Sequence, residues 1–228
     1  MSDIVASCTY FTETGPANTE RTLQLARTRA KALGIDKVVV ATTNGATGAR
    51  AVEVLQGLEI VVVTHSTGFK APDSQELSEA NRAAMEAAGA QLLTCQHAFG
   101  GVGRAVRRKL STYQVDEIMA YTLRTFCQGV KVAAEISLMA ADAGLVRTDE
   151  PVIAIAGTGS GADTAVVLKP ANAQDFFDLR YLEIICMPAP EHPGGARAQS
   201  EGRGRRVAPR QPSSHHRAFG LRQVVSGI

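Results

Sequence analysis

Two rhythms of apolar residues alternate along the chain. KVVVAT (37 to 42), LEIVVV (58 to 63), QLLTCQ (91 to 96) and PVIAIAG (151 to 157) are short runs with hardly a polar position between their apolar ones, the pattern of a strand covered on both faces. Between them the period lengthens. NTERTLQLARTRAKALG (18 to 34) places Leu23, Ala26, Ala30 and Leu33 on one stripe and ends on Gly34, which predicts a helix with a glycine stop. VASCTYF (5 to 11) predicts an opening strand, residues 48 to 56 a short helix closed by Gly57, and 115 to 145 a long helical segment that breaks near Gly129. Asp73 and Glu76 in DSQE read as the capping box of a helix running through Ala88,. TAVVLKP (164 to 170) and RYLEIICMP (180 to 188) complete the strands, closely enough spaced for antiparallel pairing. Strands alternating with helices predict an α/β fold, with an open, mostly parallel sheet carrying helices on both faces.

In such sheets ligands sit beyond the carboxyl ends of the strands. Four loops rich in Gly and hydroxyl groups leave predicted strands: TTNGATG (42 to 48), THSTGFKAPDS (64 to 74), QHAFGGVGR (96 to 104) and GTGSGAD (157 to 163). A helix N-terminus offers unsatisfied N–H donors and the positive end of its dipole, and small residues let an anion reach them. Thr47 reads as an N-cap, Gly45 and Gly48 leave the backbone open, and Thr42, Thr43 and Asn44 add side-chain donors. Phosphate is the anion that best uses so many donors. The same text also serves a capped strand-to-helix turn with no ligand.

The other loops supply further candidates. Ser66, Thr67 and Gly68 lie between His65 and Lys70, an imidazole and a cation suited to a phosphate or a polarised carbonyl. His97 precedes Gly100, Gly101 and Gly103, and Arg104 after them can hold phosphate oxygens bidentately,. His65, Lys70 and His97 are the candidate acid/base groups. Gly157, Thr158, Gly159 and Ser160 follow a strand as a dinucleotide loop does, but the text after them reads as another strand. They are assigned to a loop abutting the ligand, with Lys169 as a further polar candidate. Arg107, Arg108 and Lys109 read as a solvated basic face, and Lys131 as an i,i+4 partner of Glu135,. No nucleophile, base and orienting group stand out as a set.

Charge divides the chain. Residues 1 to 187 hold 17 Lys and Arg against 20 Asp and Glu, a balance of −3, whereas residues 188 to 228 hold 7 against 2, a balance of +5. The second segment, rich in Gly, Pro, Arg and Ser, lacks the periodicity needed to offset the entropy of ordering. A disordered tail is expected, and nucleic-acid binding is not, because no aromatic residues are interleaved for base stacking. Cys8, Cys95, Cys127 and Cys186 are far apart with no metal-ligand spacing, so no metal site is expected. Without a leader or an apolar stretch of membrane-spanning length, the expected location is the cytoplasm.

The strings NTERTLQLARTRAKALGI, TTNGATGARAVEVL, VVVTHSTGFKAPDSQEL, AFGGVGRAV, QGVKVAAEISLMAADAGL, GTGSGADTAVVLKPA and FFDLRYLEII together resemble the stand-alone pyruvate kinase C-terminal-domain-like family, from about residue 8 to 187. The resemblance implies a three-layer α/β/α fold and a threonine-rich phosphate loop at 42 to 48. It implies no kinase activity, since the catalytic barrel has no counterpart here. It also implies flavin mononucleotide (FMN) or another phosphorylated small molecule as an occupant of the cleft. The family chain ends near residue 187, so the later text fits a reading-frame slip or a lineage-specific extension. Two functions follow: a binding or sensing module for a phosphorylated metabolite, possible as a homo-oligomer, or a small enzyme, flavin-dependent or otherwise, using the same cleft.

Overall fold

The computed structural model describes residues 3–192. Among the described residues seven strands, β1 (Thr9–Phe11), β2 (Lys37–Ala41), β3 (Glu59–Thr64), β4 (Gln91–Thr94), β5 (Val152–Ala156), β6 (Thr164–Lys169) and β7 (Arg180–Pro188), form one sheet in the order β1-β7-β6-β5-β2-β3-β4. β6 runs antiparallel to both its neighbours, while β2 pairs in parallel with β3 and β5, β3 with β4, and β1 with β7. The helices are α1 (Thr19–Leu33), α2 (Ala46–Val54), α3 (Glu79–Ala87), α4 (Val102–Leu110), α5 (Val115–Leu123) and α6 (Gln128–Asp142).

Side-chain alternation along β2 divides the core into two layers. Val38 and Val40 face one side, where they pack with Leu23, Ala26 and Ala30 of α1, Ala51 and Val54 of α2, and Met85 of α3. Val39 faces the other side, against Val130, Ala133, Ile136, Met139 and Ala140 of α6. Helices therefore cover both faces, and the three-layer α/β/α architecture is the one the pattern anticipates. α6 is buried along nearly its whole length, packed between the sheet and the smaller cluster formed by Phe99 and Ala120.

Several boundaries differ from the sequence reading. The first strand begins at Thr9, not at residue 5, because Ile4 and Val5 are almost fully exposed and pair with nothing. α2 begins two residues before Gly48, with Gly45 at its N-cap in a left-handed conformation (φ 97°); Thr47 is thus inside the helix and not its cap. The capping box at Asp73 and Glu76 does not form. α3 starts at Glu79, capped by Ser78 Oγ, which accepts from the Asn81 amide, and Asp73 sits in a turn at φ 57°. The long helical segment breaks at residues 124 to 127, just ahead of Gly129. The expectations of a disordered tail and of a frame slip concern residues that, past 192, lie outside the described ones.

The connections through α1, α2 and α3 lie on one face and α6, leading into β5, lies on the other. The strand order also sends the chain from the neighbouring strands β2 and β5 in opposite directions, to β3 on one side and to β6 on the other. A crevice opens beyond the carboxyl ends of strands at such a reversal.

Candidate functional site

That crevice is a cavity of about 1010 Å³. Its walls come from the loops after β2, β3, β4 and β5, from the break before α6, and from the first turns of α6.

The loop after β2 is built from its own polar side chains. The Thr42 amide continues the ladder to Val63 O, and its buried hydroxyl accepts from the Gly48 amide at 3.4 Å. Asn44 Oδ1 accepts from the Ala46 amide at 3.0 Å, while its carbonyl takes Asn81 Nδ2 and the Ser78 amide, tying the loop to the start of α3. The donors at this helix mouth are therefore partly used internally, against the expectation of an open array. Among the described residues no acceptor meets the Thr47 amide. Two glycines are explained by packing: a Cβ on Gly48 would stand 2.4 Å from Met85 Sδ, and one on Gly45 would stand 2.4 Å from Asn81 Cβ.

The loop after β3 folds back on itself and delivers two side chains. His65 Nδ1 lies 2.8 Å from Glu76 Oε2, and its Nε2 lies 3.4 Å from Thr43 Oγ1. A hydroxyl, an imidazole and a carboxylate thus stand in line, a set that the sequence reading did not find. The loop after β4 brings His97, whose Nε2 accepts from the Ser66 amide at 3.4 Å and whose Nδ1 stands 3.7 Å from Glu135 Oε2. Phe69 stacks on His97 at 4.9 Å between ring centroids, leans against His65 at 4.2 Å, and carries the Arg104 guanidinium over its ring at 4.7 Å. The loop after β5 is held by Asp163, which is fully buried and accepts from the amides of Gly15 and Thr158 and from the Thr164 hydroxyl. Asp163 is thus occupied in structure.

Of the candidates, Thr42, Thr43, Asn44 and Thr47 line the cavity, as do His65, Lys70, His97 and Arg104, and Gly157, Gly159 and Ser160. Ser66, Gly68 and Gly101 line a smaller adjoining cavity of about 160 Å³ that shares His97 and Arg104. Gly45, Gly48, Thr67, Gly100, Gly103 and Thr158 line neither. A Cβ on Gly103 would meet the Asp116 carboxylate at 2.7 Å, so that glycine serves the contact between α4 and α5. Lys169, at the far end of antiparallel β6 and paired in register with Arg180, is also absent from the cleft. Arg107 is ion-paired with Glu117 and is not merely part of a solvated face.

The i,i+4 pair of Lys131 and Glu135 forms as the spacing predicts, but it is buried and makes the floor of the cleft. Lys131 Nζ contacts Glu135 Oε2, with the two side chains only 5% and 4% exposed. Glu135 Oε1 also accepts from the Phe99 amide at 3.1 Å. Burial alone would raise the Glu135 carboxyl, but the His97 contact and the Lys131 ammonium outweigh it and hold it well below the ordinary range. Lys131 shifts downward as well, chiefly through burial, with Arg124 and Arg104 adding repulsion against the attraction of Glu135. The two directions are compatible, because Glu135 has several donors and Lys131 has one carboxylate. Arg124, which donates to Gln128 Oε1 at 2.7 Å, also lines the cleft. The available signal was two charges one turn apart in the otherwise apolar VKVAAEI.

The cleft thus carries Lys70, Arg104, Arg124 and Lys131 against the carboxylates Glu76 and Glu135, an excess of two positive charges before any histidine is counted. Among the described residues no group of three or more His, Cys, Asp and Glu could hold a metal ion, and no helix is long and apolar enough to cross a membrane. Burial pushes the Cys186 thiol up to about 12 and raises Cys95 as well, so neither is an activated nucleophile. A family model described as "Pyruvate kinase, alpha/beta domain" matches residues 20–168.

Proposed function

Since the chain belongs to the pyruvate kinase alpha/beta domain family, we propose that its cleft binds a phosphorylated small molecule and that the protein acts as a binding or sensing module. The observation that carries this reading is the positive excess in a cavity at the sheet's rim, where the charges of Arg124 and Arg104 both act against the Lys131 ammonium. Arg104 and Arg124 offer forked donors and the Thr47 amide lies in the first turn of α2, a combination suited to the three oxygens of a phosphate. FMN and sugar phosphates both satisfy it. For FMN, Thr43, Thr47 and the arginines would hold the phosphate, and Phe69, Val132, Ile136 and Met139 offer apolar wall for the ring system; bound there, FMN would supply redox chemistry.

Titration calorimetry with FMN, a hexose phosphate and inorganic phosphate tests the reading. Saturable binding by one of the three is expected, weakened in Arg124→Ala and Lys131→Met. If none of the three releases or absorbs heat at millimolar concentration, the reading fails. A second reading, an enzyme using the same cleft, is favoured by the contact of His65 with both Thr43 and Glu76.

A further inference from the structure

The geometry points to a hydrolytic site for anionic carboxylic esters in which Thr43 is the nucleophile, His65 its general base, and Glu76 the positioning residue. The Thr43 hydroxyl lies just past the carboxyl end of β2, one residue after a buried threonine whose amide still bonds to the neighbouring strand. His65 leaves the adjacent strand β3 at the same rim. In the tautomer that donates from Nδ1 to Glu76 Oε2, 2.8 Å away, Nε2 is the acceptor facing Thr43 Oγ1 at 3.4 Å. A base oriented by a third group and facing a hydroxyl is the geometric signature of nucleophilic catalysis, and apo distances of this kind are commonly loose. The order is hydroxyl, base, carboxylate, on three separate segments. Such a set is recognised by geometry and roles rather than by sequence position.

The surroundings supply the rest. The Thr47 amide, without an acceptor among the described residues, belongs to the first turn of α2 and is suited to a developing oxyanion. The cations of the cleft select an acidic substrate; only this last feature rests on the anion-binding reading.

The chemistry balances without a further reagent. Thr43 Oγ forms a bond to the ester carbonyl carbon as its proton passes to His65 Nε2. The bond from that carbon to the alcohol oxygen breaks, and the alcohol leaves with the proton from Nε2. Water then adds to the Thr43 ester, giving its proton to Nε2, and the bond from carbon to Oγ breaks as Oγ recovers that proton. One ester and one water become one acid and one alcohol.

Two chromogenic substrates test this: the neutral p-nitrophenyl acetate and the anionic mono-p-nitrophenyl succinate, with the full chain. Turnover is expected to fall by about 100-fold or more in His65→Gln and in Thr43→Val, to recover in Thr43→Ser relative to Thr43→Val, and to fall in kcat with KM unchanged in Glu76→Gln. Melting curves identify any variant that has merely lost its fold. A fluorophosphonate probe should label Thr43, and that label should vanish in His65→Gln. If Glu76 and His65 only brace the loop after β3, their variants will melt earlier while the folded fraction keeps its rate, and the proposal is overturned. Cleavage of the neutral ester with no preference for the anionic one would keep the relay and remove the anion site. Cleavage of neither, with phosphate still binding, would remove the relay and leave the binding reading standing.

Discussion

The Lys131–Glu135 pair decides much at the scale of single residues. Removing one partner strands a charge that burial has stripped of water, which costs about 3–5 kcal/mol in comparable pairs. Urea denaturation of Lys131→Met should show a loss of that size; a loss under about 1 kcal/mol would mean that water reaches the floor of the cleft. The pH dependence has a definite sign. Because the folded Glu135 carboxyl lies below its unfolded value of about 4.3, the stability it contributes is complete above that pH and is lost as pH falls through the folded value,. Glu135→Gln should therefore flatten the fall in unfolding free energy below about pH 4.3, even though the variant is less stable at neutrality. Gly48 presents the opposite kind of constraint. A methyl group there would stand 2.4 Å from the Met85 sulfur and 2.9 Å from Val62 Cγ1. Gly48→Ala should cost about 1–3 kcal/mol by overpacking, since the Val62 carbon belongs to a rigid strand.

At the scale of elements, the start of α3 separates local from tertiary causes. DSQE has the spacing of a capping box, yet Glu76 gives its carboxylate to His65, eleven residues back along the chain, and the helix waits for Ser78. Ser78→Ala should lower stability by about 0.5–2 kcal/mol, whereas Asp73→Asn, in a left-handed turn that asparagine tolerates, should change it by less than about 0.5 kcal/mol; the reverse order in a denaturation series would restore the sequence-based start. The same contrast explains what was legible. β2, β3 and β5 could be read because strands buried on both faces need unbroken apolar runs, and α1 because Gly34 ends it in the left-handed conformation. The burial of Lys131 and the meeting of Thr43, His65 and Glu76 could not, because each depends on which segments the sheet order brings together. Gly129 shows the limit: it reads as a helix breaker, but it lies within α6, where a Cβ would fall 2.3 Å from Thr164 Cβ. It is the point at which α6 lies flat on β6.

The sheet order at the scale of the whole molecule turns four local loops into one cleft. Taken singly, each loop is ordinary strand-to-helix text, and only the reversal between β2 and β5 puts α2 and α6 on opposite sides of a common opening. A ligand there would bridge segments that are otherwise linked mainly through the sheet, and it would add the counter-charge that Lys70, Arg104, Arg124 and Lys131 share too little of. Binding only the folded state at 100 times its dissociation constant stabilises by about 2.7 kcal/mol, which for a domain of this size raises the melting temperature by roughly 5–10 °C. Because part of that affinity is attraction between charges at a solvent-facing opening, it must weaken as added salt shortens the screening length. Scanning calorimetry with a phosphorylated ligand should therefore show the upward shift in dilute buffer and a smaller one in about 1 M sodium chloride, where that length falls to about 3 Å. A shift indifferent to salt would point to the apolar wall of Val132, Ile136 and Met139 as the main grip and would demote the cations to bystanders.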